Sequence, residues 1–368
     1  MALRLSANVD PSTLMWLLRV SLFGGPCVGF PKLSEAEWDA LFQYSMRHKV
    51  VGFVNRALPL LPPESRPSRK ILLRFYVEGG KVMARSVRQS EVLASLVDFF
   101  DSMGVDTMLL KGAFLSECYP EPHIRSYGDL DIYQFGRYRE ADAMIAKYHG
   151  IRVSDKSPHH TKYCFMGVTV ENHYDFLNTR AFRSNRPLER LLKSMVGEPR
   201  RGGCSNGRVC LPSPDFNAVF LIRHLAGHFA AGQVTVRDLC DWRMFLHRYA
   251  GQVDWPQAWQ IYEQYNMHRF VGALQGILED HLALDPVPGL PRGCDPALQQ
   301  RVFNEILFGE FSEPDYRGDG FGRLLWKIRR YRANGWKHAL VYSDSRLASL
   351  CSGLVSHLLK PYSILHKV

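Results

Sequence analysis

MLLKGAFLSECYPEPHIRSYGDLDI, residues 108–132, reads as strand, glycine turn, helix and strand. Side chains two apart on a strand share a face. Asp129 and Asp131 are therefore expected to point the same way, with Leu130 and Ile132 turned into the core. Two carboxylates on one rigid face repel each other unless a cation lies between them. The arrangement suits Mg²⁺, a hard ion commonly held by one or two carboxylates plus substrate phosphates. Lys111 and Gly112 end the first strand. Glycine permits a tight turn and close backbone approach, the helix that follows directs free N–H groups at a phosphate, and Lys111 adds positive charge where a triphosphate would lie. Each feature alone has a plainer account: an acidic pair on a solvated edge, and a strand-to-helix turn with an exposed lysine.

Outward from this stretch the texture is mixed. Residues 105–110 are a short apolar run, 113–119 fit two helical turns stopped by Pro120 and Pro122, and 128–134 form the second strand. Residues 137–148 make an amphipathic helix with Ala141, Met144, Ile145 and Tyr148 on its apolar side. Three more strands are expected at 151–154, 162–166 and 168–175, with Gly167 as a turn. Glu171, on the last of them, is placed to come alongside Asp129 and Asp131. Three converging carboxylates hold two Mg²⁺ ions, which activate an attacking hydroxyl and neutralise charge on a transferring phosphoryl group.

The flanks read as helical. Ser34–Glu37 has capping-box form and precedes Trp38, Leu41, Phe42 and Tyr44 on one helix side. Residues 68–102 make one long helix or two, with Gly79-Gly80 as the expected kink. Residues 180–212 are a basic connector with a short helix at 187–195. Helices are expected at 214–230, 235–249, 255–266, 267–283, 295–309, 320–341 and 344–359. The expected organisation is a helical region over 1–103, an α/β catalytic core over 104–180, a basic connector over 181–212 and a helical domain over 213–368.

Taken together, Leu109-Leu110-Lys111-Gly112, Cys118-Tyr119-Pro120, Arg125, Gly128-Asp129-Leu130-Asp131 and Glu171-Asn172-His173 resemble the nucleotidyltransferases of the DNA polymerase β superfamily. Within it they are similar to an uncharacterised bacterial family. The likeness is strongest over residues 105–176 and extends loosely to 236–242. It implies an α+β fold, a small mixed sheet between helical regions. It implies Mg²⁺, with Mn²⁺ as an alternative ion, bound by Asp129, Asp131 and Glu171. It also implies attack of an acceptor hydroxyl on the α-phosphate of an NTP with release of pyrophosphate; ATP is the expected NTP on general prior alone. Glu171 would share one metal and help deprotonate the acceptor. Ala113, where the superfamily has Gly or Ser, offers no hydroxyl to a phosphate and leaves that work to backbone N–H groups and Lys111.

Other residues keep more than one reading. Arg125 either clamps the β- or γ-phosphate or pairs with the carboxylates. His173 orients Glu171, contacts the nucleotide, or is satisfied by a backbone carbonyl. Asp238 or Asp241 contacts a base or ribose, or belongs to a salt-bridged helix face. His224 and His228 share a helix face, which favours packing against the sheet over a metal pair. His159, His160, Cys164 and His173 fit no common zinc spacing.

Composition bounds the rest. The chain has 368 residues, 46% hydrophobic and 22% charged, as expected of a globular protein with a substantial core. No apolar run reaches the roughly 18 residues of a membrane span. The eight cysteines show no CxxC pair, and the start lacks a signal-peptide pattern, which points to a reducing cytoplasm. The net charge of +10 favours a polyanionic ligand. The acceptor stays open among a small molecule, a sugar, a protein side chain and an RNA end. Two other classes stay open: a catalytically silent nucleotide-binding protein, and an adaptor whose basic helix, with Phe321, Leu324, Leu325, Ile328 and Tyr331 opposite Arg323, Lys327 and Arg330, binds RNA or an anionic membrane.

Overall fold

The computed structural model describes residues 10–25, 27, 29–197, 199, 209–293, 295–309 and 320–345. Helices α1 (Pro11–Phe23), α2 (Glu35–Arg47) and α3 (Val51–Ala57) precede the 34-residue α4 (Arg69–Ser102). Next come β1 (Met108–Leu109), α5 (Lys111–Ser116), β2 (Leu130–Tyr133), α6 (Tyr138–His149), β3 (His160–Phe165) and β4 (Val168–His173). The chain continues through α7 (Asn185–Val196), α8 (Pro214–Ala231), α9 (Val236–Tyr249), α10 (Trp255–Gln264), α11 (His268–Leu282), α12 (Pro296–Phe308), α13 (Gly320–Ala333) and α14 (Gly335–Val341). The fold is α+β. No helix among the described residues is long and apolar enough to cross a membrane.

The sheet order is β1-β2-β4-β3, with β2 and β4 parallel and the other two pairs antiparallel. Met166 and Gly167 both adopt positive φ, 48° and 84°, the conformation that closes a tight hairpin between twisted strands. On β4, Val170 and Asn172 face away from the site. Asn172 bonds Gln134 and Asp142 of α6 at 2.8 and 3.0 Å, which pins α6 to the back of the sheet.

Several sequence expectations change. The second strand is shorter than 128–134, and Asp129 lies in the bend before it. Residues 151–154 form no strand; only Ser154 bridges to Lys162. Helix α4 runs unbroken through Gly79-Gly80. Gly79 serves packing instead: a Cβ there would stand 2.7 Å from the Asn55 side chain. Residues 320–341 divide into two helices at Asn334. The expected helix at 344–359 lies largely outside the described residues, as do the side chains of Phe321, Arg323, Leu324 and Lys327 in the basic helix. Leu325 and Ile328 of that helix are exposed.

One continuous apolar cluster runs from Leu14 to Tyr342, through both helical regions and the sheet. The capping box of α2 forms as expected, Ser34 with Glu37. His48, just past α2, ties the two helical regions together: Nε2 donates to the carbonyl of Leu307 at 3.2 Å and Nδ1 accepts from the amide of Val236 at 3.3 Å. Burial, helped by Arg47, pushes its pKa down to about 4 from the ordinary 6.5. The unfolded chain therefore binds the extra proton between these values, and stability falls as pH drops from about 6.5 towards 4. The expected loss is about 3 kcal/mol. In urea unfolding, His48→Gln is expected to be clearly less stable than wild type at pH 7 and nearly equal to it at pH 4.5. An equal gap at both pH values would rule out His48 as the source.

Candidate active site

Four side chains meet where β1 ends against facing positions of β2 and β4. The parallel register sets Asp131 opposite Glu171 and Tyr133 opposite His173, so Asp131, Glu171 and His173 share a face. Lys111 Nζ lies 2.8 Å from Asp131 Oδ1 and 3.5 Å from His173 Nε2. His173 Nε2 is 3.0 Å from the same Asp131 oxygen, and its Nδ1 donates to the carbonyl of Asp175 at 3.2 Å. That backbone bond fixes the ring so that Nε2 faces the carboxylates. Glu171 Oε1 lies 3.4 Å from both Lys162 and His160.

Electrostatics follow from this crowding. Burial alone would push Asp131 up, but Lys111 and His173 outweigh it and hold the carboxyl well below its usual range. Glu171 moves the other way, pushed up to about 7 by burial and by the negative charge of Asp131. Burial, with Lys111 beside it, pushes the His173 pKa down, and its bond to Asp131 offsets part of that. One ligand atom each from Asp131, Glu171 and His173 falls within 4.8 Å of the others, a spacing that could hold a metal ion. Asp129 is partly exposed and lines the same cavity, outside this convergent trio.

The turn at Lys111-Gly112 differs from expectation in its cause. The positive φ, 41°, belongs to Lys111. Gly112 is required because a Cβ there would stand 2.8 Å from Cβ of Tyr127. Helix α5 spans six residues and lacks a side-chain cap, which is short for the expected helix-end phosphate seat.

Among the described residues Arg125 pairs with none of Asp129, Asp131 and Glu171, and its guanidinium is not free to clamp a phosphate. It is 3% exposed. Its Nε and Nη2 donate to the two oxygens of Asp241, each at 2.6 Å, and Nη1 donates to the carbonyl of Gly112 at 2.8 Å. Tyr119 adds its hydroxyl to Asp241 at 2.6 Å. A guanidinium buried this deeply needs a counter-ion, and Asp241, held low by Arg125 against its burial, supplies it. Asp238 is likewise occupied: one oxygen accepts from the amide and hydroxyl of Thr235 at 2.7 and 2.8 Å, forming the capping box of α9. Its other oxygen lies 3.9 Å from Arg237, and Asp238 also lines the cavity above the carboxylates.

A cavity of about 970 Å³ opens over the carboxylates. His224 and His228 line it, and their Nε2 atoms are 2.8 Å apart. His159, His160 and His173 converge, while Cys164 is exposed and apart from them. Linear spacing could not show this, because β3 pairs with β4 so as to set His160 opposite His173. Sequence reasoning also missed Lys49, Arg85 and Arg223 as cavity residues, since each comes from a helical region with no motif around it.

No curated protein matches this chain. Among solved structures, an antigenic nucleotidyltransferase-like protein from Paracoccidioides brasiliensis is similar at 14% identity. The match covers 68% of this chain and 93% of that one, with a TM-score of 0.28. The family model described as "Uncharacterised nucleotidyltransferase" matches residues 34–282, which take in the carboxylate strands, the Lys111 turn and the Arg125–Asp241 brace, and the chain belongs to that family.

Proposed function

We propose that this protein transfers a nucleoside monophosphate from an NTP to an acceptor hydroxyl. The observation that supports this most is the parallel register placing Asp131 beside Glu171, with His173 and Lys111 against them, on the wall of a cavity large enough for a nucleotide. The donor set fits a divalent cation: Asp131 and Glu171 would hold it from two sides, with Asp129 reaching in from the bend. His173, fixed by Asp175, adds a nitrogen that suits Mn²⁺ as well as Mg²⁺. When bound, the ion neutralises charge on the phosphoryl oxygens and makes the acceptor hydroxyl easier to deprotonate.

The chain's own residues do the rest. Lys49, Arg85 and Arg237 line the cavity around the loop at residues 125–128. Ser86 and Gln89 of α4 grip that loop from one side, and Arg237 donates to the carbonyl of Ser126 at 3.4 Å from the other. These cations seat the β- and γ-phosphates, and Lys111 turns from Asp131 to the α-phosphate. The acceptor oxygen attacks the α-phosphorus, its proton passes to Glu171, and the bond to the bridging oxygen breaks to release pyrophosphate. Nucleotide choice begins with ATP as the commonest triphosphate.

The test uses NTPs labelled at either the α or the γ position, Mg²⁺ or Mn²⁺, and an extract of the source cells. Label from the α position is expected in an acceptor fraction, with unlabelled pyrophosphate as co-product. Transfer of γ label would make the protein a kinase. NTP binding without transfer would leave the catalytically silent reading, and absence of both would leave the basic-helix adaptor.

A further inference from the structure

The cavity has a second charged wall, which the reaction above does not use. Arg223 of α8 is 3% exposed and lines the cavity beside His224 and His228. Its Nη1 donates to the carbonyl of Val341 at 2.6 Å, and its guanidinium carbon lies 3.9 Å from the centre of the Tyr342 ring. Tyr342 in turn stacks on Phe182, with centroids 4.0 Å apart and planes 15° apart. No carboxylate pairs with Arg223 among the described residues, and its Nη2 has no hydrogen-bond partner there. A buried arginine ordinarily carries a counter-ion, as Arg125 does in Asp241. One carbonyl and one ring face leave most of a unit charge uncompensated.

The order of groups along α8 says which ligand would supply the counter-ion. His228, near the C-terminal end of α8, bonds Gln233 in the turn that leads straight to Arg237 at the start of α9, the polyphosphate end. His224, one turn earlier, has its Nε2 2.8 Å from that of His228 and feels the charges of Lys111 and Asp131, at the reaction centre. Arg223 adjoins it, turned to Tyr342. In-line phosphoryl transfer puts the attacking oxygen and the leaving pyrophosphate on opposite sides of the phosphorus. With the polyphosphate seated by Lys49, Arg85 and Arg237, the acceptor enters from the Arg223 end.

We propose that Arg223 is an anion subsite for the acceptor: the acceptor is a small molecule that carries a phosphate or carboxylate group besides the hydroxyl it loses a proton from. This rests on the nucleotidyl-transfer reading. The test is scanning calorimetry of the full chain with saturating Mg-ATP to fill the polyphosphate end. Sodium phosphate or sodium malonate is then added, against sodium chloride of equal ionic strength. Wild type is expected to gain a further few degrees in Tm from phosphate or malonate. Arg223→Gln is expected to lose that gain while keeping the Mg-ATP shift, and Arg223→Lys to keep part of it. Three results would overturn the proposal: a gain that survives Arg223→Gln, a gain that Mg-ATP abolishes in wild type, and an Mg-ATP shift that falls in Arg223→Gln as far as the phosphate gain does. The last would assign the anion to the nucleotide. If Arg223→Gln does not fold, the wild-type additivity and the Arg223→Lys variant decide. If Mg-ATP gives no shift but phosphate gives one that depends on Arg223, the anion subsite stands and the nucleotidyl-transfer reading falls.

Discussion

Asp131→Asn is expected to abolish metal-dependent stabilisation by ATP and to cut α-label transfer by roughly 10³-fold or more. The substitution keeps the volume of the side chain and an oxygen for Lys111, so the fold around β2 survives. It removes the charge that shares a cation with Glu171. Metal-ion stabilisation of a phosphoryl transition state is worth several kcal/mol, and each 1.36 kcal/mol is a tenfold change in rate. Asp129→Asn is expected to cost less, because Asp129 stands in the bend before β2, outside the trio whose ligand atoms converge. The pair of variants thus ranks the two aspartates that the sequence treats as equals. If Asp131→Asn retains both the ATP-induced shift and transfer, the carboxylates are a structural ion-pair cluster and the assignment of the site is wrong.

The ranking shows what the sequence could and could not disclose. Lys111-Gly112, Asp131 and Glu171-Asn172-His173 were legible because each sits in a short local pattern whose periodicity fixes its face. Their meeting was only inferable through resemblance, since nothing local says that β2 and β4 run parallel with Asp131 level with Glu171. Arg125 was legible as important and misread in role. Its partner Asp241 lies 116 residues away on α9, and no spacing rule reaches that far. Gly112 was read through backbone freedom, yet its reason is the Tyr127 side chain pressed against it, a contact made by tertiary packing. Arg223 carried no signal at all. An arginine amid apolar helical residues reads as a solvated position until the helix is seen to be buried.

The brace between Arg125 and Asp241 sets the second large effect, on stability rather than chemistry. Arg125→Met is expected to destabilise the fold by about 3–5 kcal/mol, because it strands the Asp241 charge in the interior with only Tyr119 and a distant Arg237 beside it. Asp241→Leu should cost a similar amount by stranding Arg125. The double variant Arg125→Met/Asp241→Leu is expected to recover a large part of either loss, since removing both charges also removes their desolvation cost. Urea unfolding of the four proteins at pH 7 gives the cycle directly. Simple additivity of the single losses would show that the two groups act independently, against the geometry. The double variant has a further consequence that stability alone does not predict. Arg125 Nη1 also holds the carbonyl of Gly112, and α9 carries Arg237 on the same face that grips Ser126. A protein restored in stability but lacking the brace should therefore still lose transfer activity. In it the phosphate turn and the cation-bearing helix are no longer held in one register, and a misplacement of about 1 Å is enough to cost roughly 10²-fold.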